Sequence, residues 1–175
     1  MLDEQDMDRL FREYHAGLVR YLARRLGDRD WAEDVAQETF VRAMRQEHLT
    51  SERSWLYAVA TNLVRDQART DDRRRHHLAM LADEERAREL EAPETTVLER
   101  AQDAAFARRA LEQLAERDRS ALLMREEGLD YQEIATALEL SPGSVGTTLA
   151  RARRRLAEAY EALQAERDRR ENAAS

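Results

Sequence analysis

Leu10, Tyr14, Leu18, Tyr21 and Leu22 recur at three- and four-residue intervals, the period of one buried helix face, and predict a helix over residues 7–26. Gly27-Asp28 closes it, and Asp30 is placed to cap a second helix over residues 31–46. A third helix starts at Ser51 or Ser54 and carries Leu56, Val59, Ala60 and Leu63 toward Arg69. Three helices joined by short polar turns make one small bundle.

The pattern then changes. Residues 71–103 hold ten acids and six arginines, a net charge of -4, with Arg73, Arg74 and Arg75 first and the acids afterwards. This stretch reads as a linker with the domain boundary between residues 80 and 93. Beyond it, Val97, Ala101, Ala104, Ala105, Leu111 and Leu114 mark one helix, and residues 120–124 lie in the next. Gly128 is the expected left-handed terminator of that helix. Asp130 followed by Glu133 is a capping-box pattern that opens a short helix over residues 131–138. Ser141-Pro142, a cap residue before a first-turn proline, opens a last helix reaching about residue 165. The polar segment after it is expected to fray. The chain therefore reads as all-α: a helical domain over residues 5–75, a linker over 76–94, a second helical domain over 95–166 and a flexible tail over 167–175.

Two short helices joined by a tight turn, with Ile134, Ala135, Leu138, Leu140, Val145 and Leu149 as the apolar set, form a helix-turn-helix. Residues 140–157 contain no acid, while Arg151, Arg153, Arg154 and Arg155 give that segment a charge of +4 in a chain of net -7. Such a segment at the second position of a helix-turn-helix suits DNA. Ser144, Thr147, Thr148 and Arg151 are the candidates for base edges, and Arg153, Arg154 and Arg155 for phosphates. The bland alternative is a solvated helical face paired with Glu158 and Glu161.

Composition narrows the chemistry. All 29 basic residues are arginine, and neither lysine nor cysteine occurs. That excludes a phosphate-loop lysine, a Schiff base, a thiolate nucleophile, a cysteine-ligated zinc and a disulfide. His76 and His77 are adjacent and point to different sides of a helix, and His15 and His48 stand apart from them. No metal-ligand spacing results, so no metal, cofactor or catalytic residue is expected, and an enzyme is the least favoured class. No apolar run approaches the ~20 residues of a membrane span, and the first residues are acidic. The expectation is a soluble, cytoplasmic chain without membrane insertion.

Segments of the second domain carry a family resemblance: residues 114–119 (LAERDR), 127–135 (EGLDYQEIA), and 144–145 (SV) with 149–153 (LARAR). They resemble region 4 of the extracytoplasmic-function sigma factors, a subfamily of the sigma-70 family of bacterial RNA polymerase subunits. Residues 32–43 (AEDVAQETFVRA) and 55–66 (WLYAVATNLVRD) are similar to two helices of region 2 of the same family. The likeness runs in order from about residue 10 to 165. It implies a chain that binds core RNA polymerase and promoter DNA, with region 2 on the β′ clamp helices and the minus-ten element. Region 4 would take the β flap and the minus-thirty-five element. Members are commonly held inactive by an anti-sigma factor, which makes one a candidate partner here.

Within that frame the second helix can be examined directly. At about 100° per residue, Ala32, Val35, Ala36, Thr39, Phe40 and Ala43 share one face. Asp34, Gln37, Val41 and Arg45 share the opposite one, with Glu38 at its margin. That second face is either a solvated surface or, as the resemblance implies for Asp34, Gln37, Glu38 and Val41, a dock for polymerase. In the third helix Trp55, Asn62 and Asp66 share an edge beside the core stripe. Trp55 reads best as core. Asn62 is balanced between a surface amide and a base contact, and Arg65 and Arg69 between phosphate contacts and solvated charge. One departure from the family pattern is Gly146-Thr147-Thr148, where relatives often carry basic residues around a serine. It predicts weaker phosphate anchoring and leaves the minus-thirty-five sequence open. The competing readings are a self-standing helix-turn-helix regulator, which leaves the region 2 motif unused, and a protein-binding adaptor.

Overall fold

The computed structural model describes residues 2–70 and 95–173, with side chains described for residues 2–68 and 101–173. These residues form seven α-helices and no strand. In chain order they are α1 (Glu4–Leu26), α2 (Arg29–Met44), α3 (Glu52–Thr70), α4 (Thr95–Glu112), α5 (Glu116–Glu126), α6 (Tyr131–Leu138) and α7 (Pro142–Ala173).

Local chemistry sets most of the boundaries. The Asp3 carboxylate accepts the amide of Asp6 at 2.8 Å, which starts α1 a turn earlier than its apolar stripe suggests. Gly27, at φ 70°, ends α1. The cap of α2 is Asp28 rather than Asp30: the Asp28 carboxylate accepts from the Trp31 amide at 2.9 Å, and Asp30 lies inside the first turn. Gly128, at φ 85°, turns the chain after α5 as expected. The capping box of α6 is complete, with Glu133 N–H donating to Asp130 and Asp130 N–H donating to Glu133, each at 2.8 Å. α6 ends on Glu139, a non-glycine residue at φ 53°.

The last helix is longer than expected. It continues through Ala173 rather than stopping near residue 165. Tyr160 meets Phe106 of α4 edge-on, with ring centroids 6.4 Å apart, and the Arg167 guanidinium lies 5.1 Å over the Phe106 ring. Arg167–Glu171 and Glu166–Arg170 ion pairs at i,i+4 support the final turns.

The apolar stripes close into a core. All six residues assigned to the inner face of α2 are buried. Leu10, Leu18 and Leu22 of α1 meet Val35 and Phe40 of α2 and Leu56 and Leu63 of α3. The same cluster continues without a break through Leu123, Met124, Leu129, Ile134, Val145 and Leu149. α3 lies against α6 and α1 against α5, so the two bundles share one core rather than merely being tethered. A smaller cluster of Leu114, Leu122 and Ala152 ties α5 and α7 to the end of α4.

Candidate functional site

The helix-turn-helix consists of α6 and the start of α7. Ile134, Val145 and Leu149 are fully buried between them, and Leu140 N–H donates to the Ala135 carbonyl at 2.8 Å across the turn. On the outer side of α7, Thr147, Ala150, Arg153, Arg154 and Arg155 are exposed. Ser144 is half-buried, with its hydroxyl donating to the Ser141 carbonyl at 2.8 Å.

Two residues expected to read bases are placed elsewhere. Thr148 is only 4% exposed, because positions 145, 148, 149 and 152 form the buried i, i+3, i+4, i+7 stripe of α7. Arg151 turns inward, its Nε donating to Asp118 Oδ2 at 2.9 Å and its Nη2 to Asp118 Oδ1. Asp118, on α5, is 1% exposed, and the Arg151 hydrogen bonds hold its carboxyl below the usual carboxylate range. Arg155 adds a second cation 3.8 Å from the same carboxylate. In this structure Thr148 is therefore part of the core, and Arg151, its side chain 38% exposed, ties α7 to α5. The cations of α7 left largely to solvent are Arg153, Arg154, which lies 3.8 Å from Glu158, and Arg155, whose side chain is 51% exposed.

On α2, Asp34, Gln37 and Val41 are exposed together, and Glu38, half-buried, accepts from Arg42 Nε at 2.8 Å. The structure adds neighbours that the α2 pattern alone does not supply. Phe11 and Met44 stand 47% and 50% exposed, and with Gln37, Phe40 and Val41 they line an open groove of about 860 Å³ between α1 and α2. Phe11 stacks on His15 at 4.2 Å and tilts against Phe40 at 5.2 Å, while His15 Nε2 lies 3.4 Å from Glu33. The signal in the sequence is Phe11 itself, a bulky apolar residue beside the α1 core stripe.

On α3, Asn62 and Arg65 are exposed and joined, Arg65 Nη2 donating to Asn62 Oδ1 at 2.8 Å. They face the other bundle. Arg65 Nε lies 3.5 Å from Glu116 of α5, and both residues line a cleft of about 320 Å³ whose far wall includes Arg117, Leu138 and Glu139. Trp55 is half-buried against the core. The Arg69 side chain, Arg73 to Arg75, His76, His77 and the linker over 76–94 lie outside the described residues. Among the described residues no group of three or more acidic or histidine side chains is placed to hold a metal. No described helix is long and apolar enough to cross a membrane.

Comparison with known proteins places these surfaces in context. The Sigma-70 region 2 model matches residues 10–74, and the Sigma-70, region 4 model matches residues 107–156. The chain is 30% identical to the RNA polymerase sigma-H factor of Pseudomonas aeruginosa over 175 residues, covering 92% of this chain and 89% of that protein. It is 32% identical to the RNA polymerase sigma factor YlaC of Bacillus subtilis over 161 residues, 87% of this chain and 91% of that one. Identity to the ECF RNA polymerase sigma factor SigL of Mycobacterium tuberculosis is also 32%, over 150 residues and 82% of each chain. Among solved structures, the sigma factor RpoE of Bartonella quintana, crystallised with the anti-sigma factor NepR, superposes with a TM-score of 0.60. That match covers 90% of this chain and 98% of the other; at 18% identity it speaks for the fold.

Proposed function

Because this chain belongs to the extracytoplasmic-function subfamily of the sigma-70 family, we propose a division of labour between its surfaces. The chain is a sigma factor that binds core RNA polymerase and directs promoter recognition and transcription initiation. The observation that carries this is the ordered pair of matches: region 2 falls on α1–α3 and region 4 on α4–α7.

The outer face of α2, through Asp34, Gln37, Glu38 and Val41, is the dock for the β′ clamp helices. Its mixture of acid, amide and exposed valine beside Phe11 and Met44 suits an amphipathic basic helix. Asn62 and Arg65 are the residues of α3 that meet the minus-ten element, the amide on a base edge and the guanidinium on phosphate. In region 4, Ser144 and Thr147 approach base edges of the minus-thirty-five element, and Arg153, Arg154 and Arg155 follow its phosphates. These are binding roles, and the chain supplies no chemistry of its own. It works in the cytoplasm beside its polymerase, and an anti-sigma factor, such as the one co-crystallised with the Bartonella quintana protein, would compete for the α2 face.

The test is run-off transcription with core polymerase on a promoter library. The chain should yield transcripts that core alone does not, and Asp34→Arg, which puts a cation on the α2 face, should abolish them while the variant remains folded by circular dichroism. A self-standing regulator instead predicts tight, specific duplex binding without polymerase and no transcript; that result would overturn the assignment.

A further inference from the structure

Around the first turn of α5 one carboxylate serves two guanidiniums. Glu116 Oε1 accepts from Arg25 Nη2 at 2.8 Å and lies 3.5 Å from Arg65 Nε. The Arg25 side chain is 2% exposed, and its Nε, like that of Arg119, is buried without a hydrogen-bond partner. Burial first, and the Arg25 charge second, draw the Arg119 guanidinium below its ordinary range. Arg117, one residue after Glu116, is exposed and makes no ion pair with a described residue. Cations without full partners therefore collect on one side of the α5 start, and buried ones are costly to leave so.

These groups border a cleft. Arg65 and Asn62 from α3, Arg117 and Ser120 from α5, and Leu138 and Glu139 from the end of α6 line about 320 Å³ of space, the low end of the range for ligand pockets. Its polar lining is mostly donors. Ser120, 1% exposed, accepts from Arg25 Nη1 at 2.6 Å, and its own hydroxyl proton goes to no described group. Asn62 Oδ1 is taken by Arg65 Nη2 at 2.8 Å, which leaves the amide N–H groups to donate. The cap residue of α5 is Ala115, which has no side chain to accept the first-turn amides. Ala58, Ala137 and Leu138 add a short apolar wall.

A lining of donors and guanidiniums calls for an acceptor that carries negative charge. We infer that the cleft binds a small organic phosphate, with its phosphate between Arg65 and Arg117 and its carbon skeleton along Ala58, Ala137 and Leu138. Two guanidiniums from different helices suit a phosphate monoester, whose charge is about -1.5 to -2 at pH 7, better than a singly charged carboxylate. The Ser120 hydroxyl and the Asn62 amide supply further donors to its oxygens. Glu116 does not close the site to anions, because Arg25 and Arg65 already meet its charge. Glu139, on the α6 side, is placed to accept from a hydroxyl or amino group of the organic part. This role goes beyond promoter binding, although Asn62 and Arg65 take part in both.

Isothermal titration calorimetry on the full chain at fixed ionic strength tests this with ribose 5-phosphate, adenosine monophosphate and inorganic phosphate, and with adenosine as the phosphate-free control. At least one of the two esters should bind at a single saturable site, more tightly than inorganic phosphate, and adenosine should not bind. Arg117→Ala, at an exposed position, should leave the circular dichroism and the ligand-free melting temperature unchanged while weakening the ester about tenfold or more. The ester should raise the melting temperature of the unmodified chain and not that of the variant. No saturable heat from either ester at millimolar concentration overturns the inference, as does binding that Arg117→Ala leaves intact. Equal affinity for inorganic phosphate overturns the organic part of it. A single-stranded minus-ten oligonucleotide without a terminal phosphate is the remaining arm. If it binds more tightly than both esters, and equally well to the Arg117→Ala variant, the phosphates belong to nucleic acid and the inference fails. Failure of the functional reading is separable: it is the absence of transcript from the unmodified chain, whatever the titrations report.

Discussion

Asp118 illustrates how one side chain redirects another. It lies on α5, four residues beyond Leu114, and its two oxygens take up Arg151, which would otherwise stand among the cations of the helix proposed to meet DNA. The fold holds this carboxyl below its ordinary range near pH 4. Its contribution to stability is therefore complete above about pH 4 and is lost as pH falls through the depressed value. Asp118→Asn should lower the melting temperature by roughly 5 °C at pH 7 and by much less near pH 2.5. Thermal melts at the two pH values check this, and an equal deficit at both would show that packing, not charge, is responsible. Thr148 reads in the sequence as a base contact, although Val145, Leu149 and Ala152 define a buried stripe that it completes. The Asp118–Arg151 pair was not legible in advance, because 33 residues separate its members and only the crossing of α5 and α7 brings them together.

At the level of elements, glycine has two different jobs in the second bundle. Gly128 sits at φ 85°, where a side chain is strained whatever the space, and Gly128→Ala should destabilise by about 1 kcal/mol. Gly146 lies inside α7 with no such backbone demand, and a Cβ there would meet the Tyr131 ring at 3.6 Å, an ordinary contact. Gly146→Ala should therefore stabilise the chain by about 0.5–1 kcal/mol, which urea unfolding can measure. If Gly146 serves close approach of the helix to DNA, the same variant should transcribe less from minus-thirty-five-dependent promoters while being more stable. Opposite signs in the two assays are the expected signature. The cap of α6 and the first residue of α7 were readable because Asp130, Glu133 and Pro142 act within one turn of themselves. The length of α7 was not readable, because its last turns rest on Phe106 of another helix.

For the whole molecule, the distribution of charge matters more than its sum. The +4 of residues 140–157 looked like a uniform DNA-facing stripe in the sequence, yet Asp118 draws Arg151 inward and shares Arg155. Likewise Arg20, Arg24, Arg25 and Arg53 of the first bundle reach across to the second. A linear pattern shows which face of a helix is polar and not which partner that face meets, so the shared core escaped it. The salt dependence of promoter binding tests the resulting partition. Each phosphate neutralised contributes about -0.9 to the slope of log affinity against log salt. In polymerase-bound chain titrated onto a minus-thirty-five duplex between 50 and 200 mM salt, Arg153→Ala and Arg154→Ala should each flatten the slope by about 1. Arg151→Ala should leave the slope unchanged and lower the melting temperature instead, since its guanidinium is committed to Asp118. A slope that changes with Arg151 and not with Arg153 would mean that α7 turns on its axis when it meets DNA, exposing the inner cation at the expense of the outer ones.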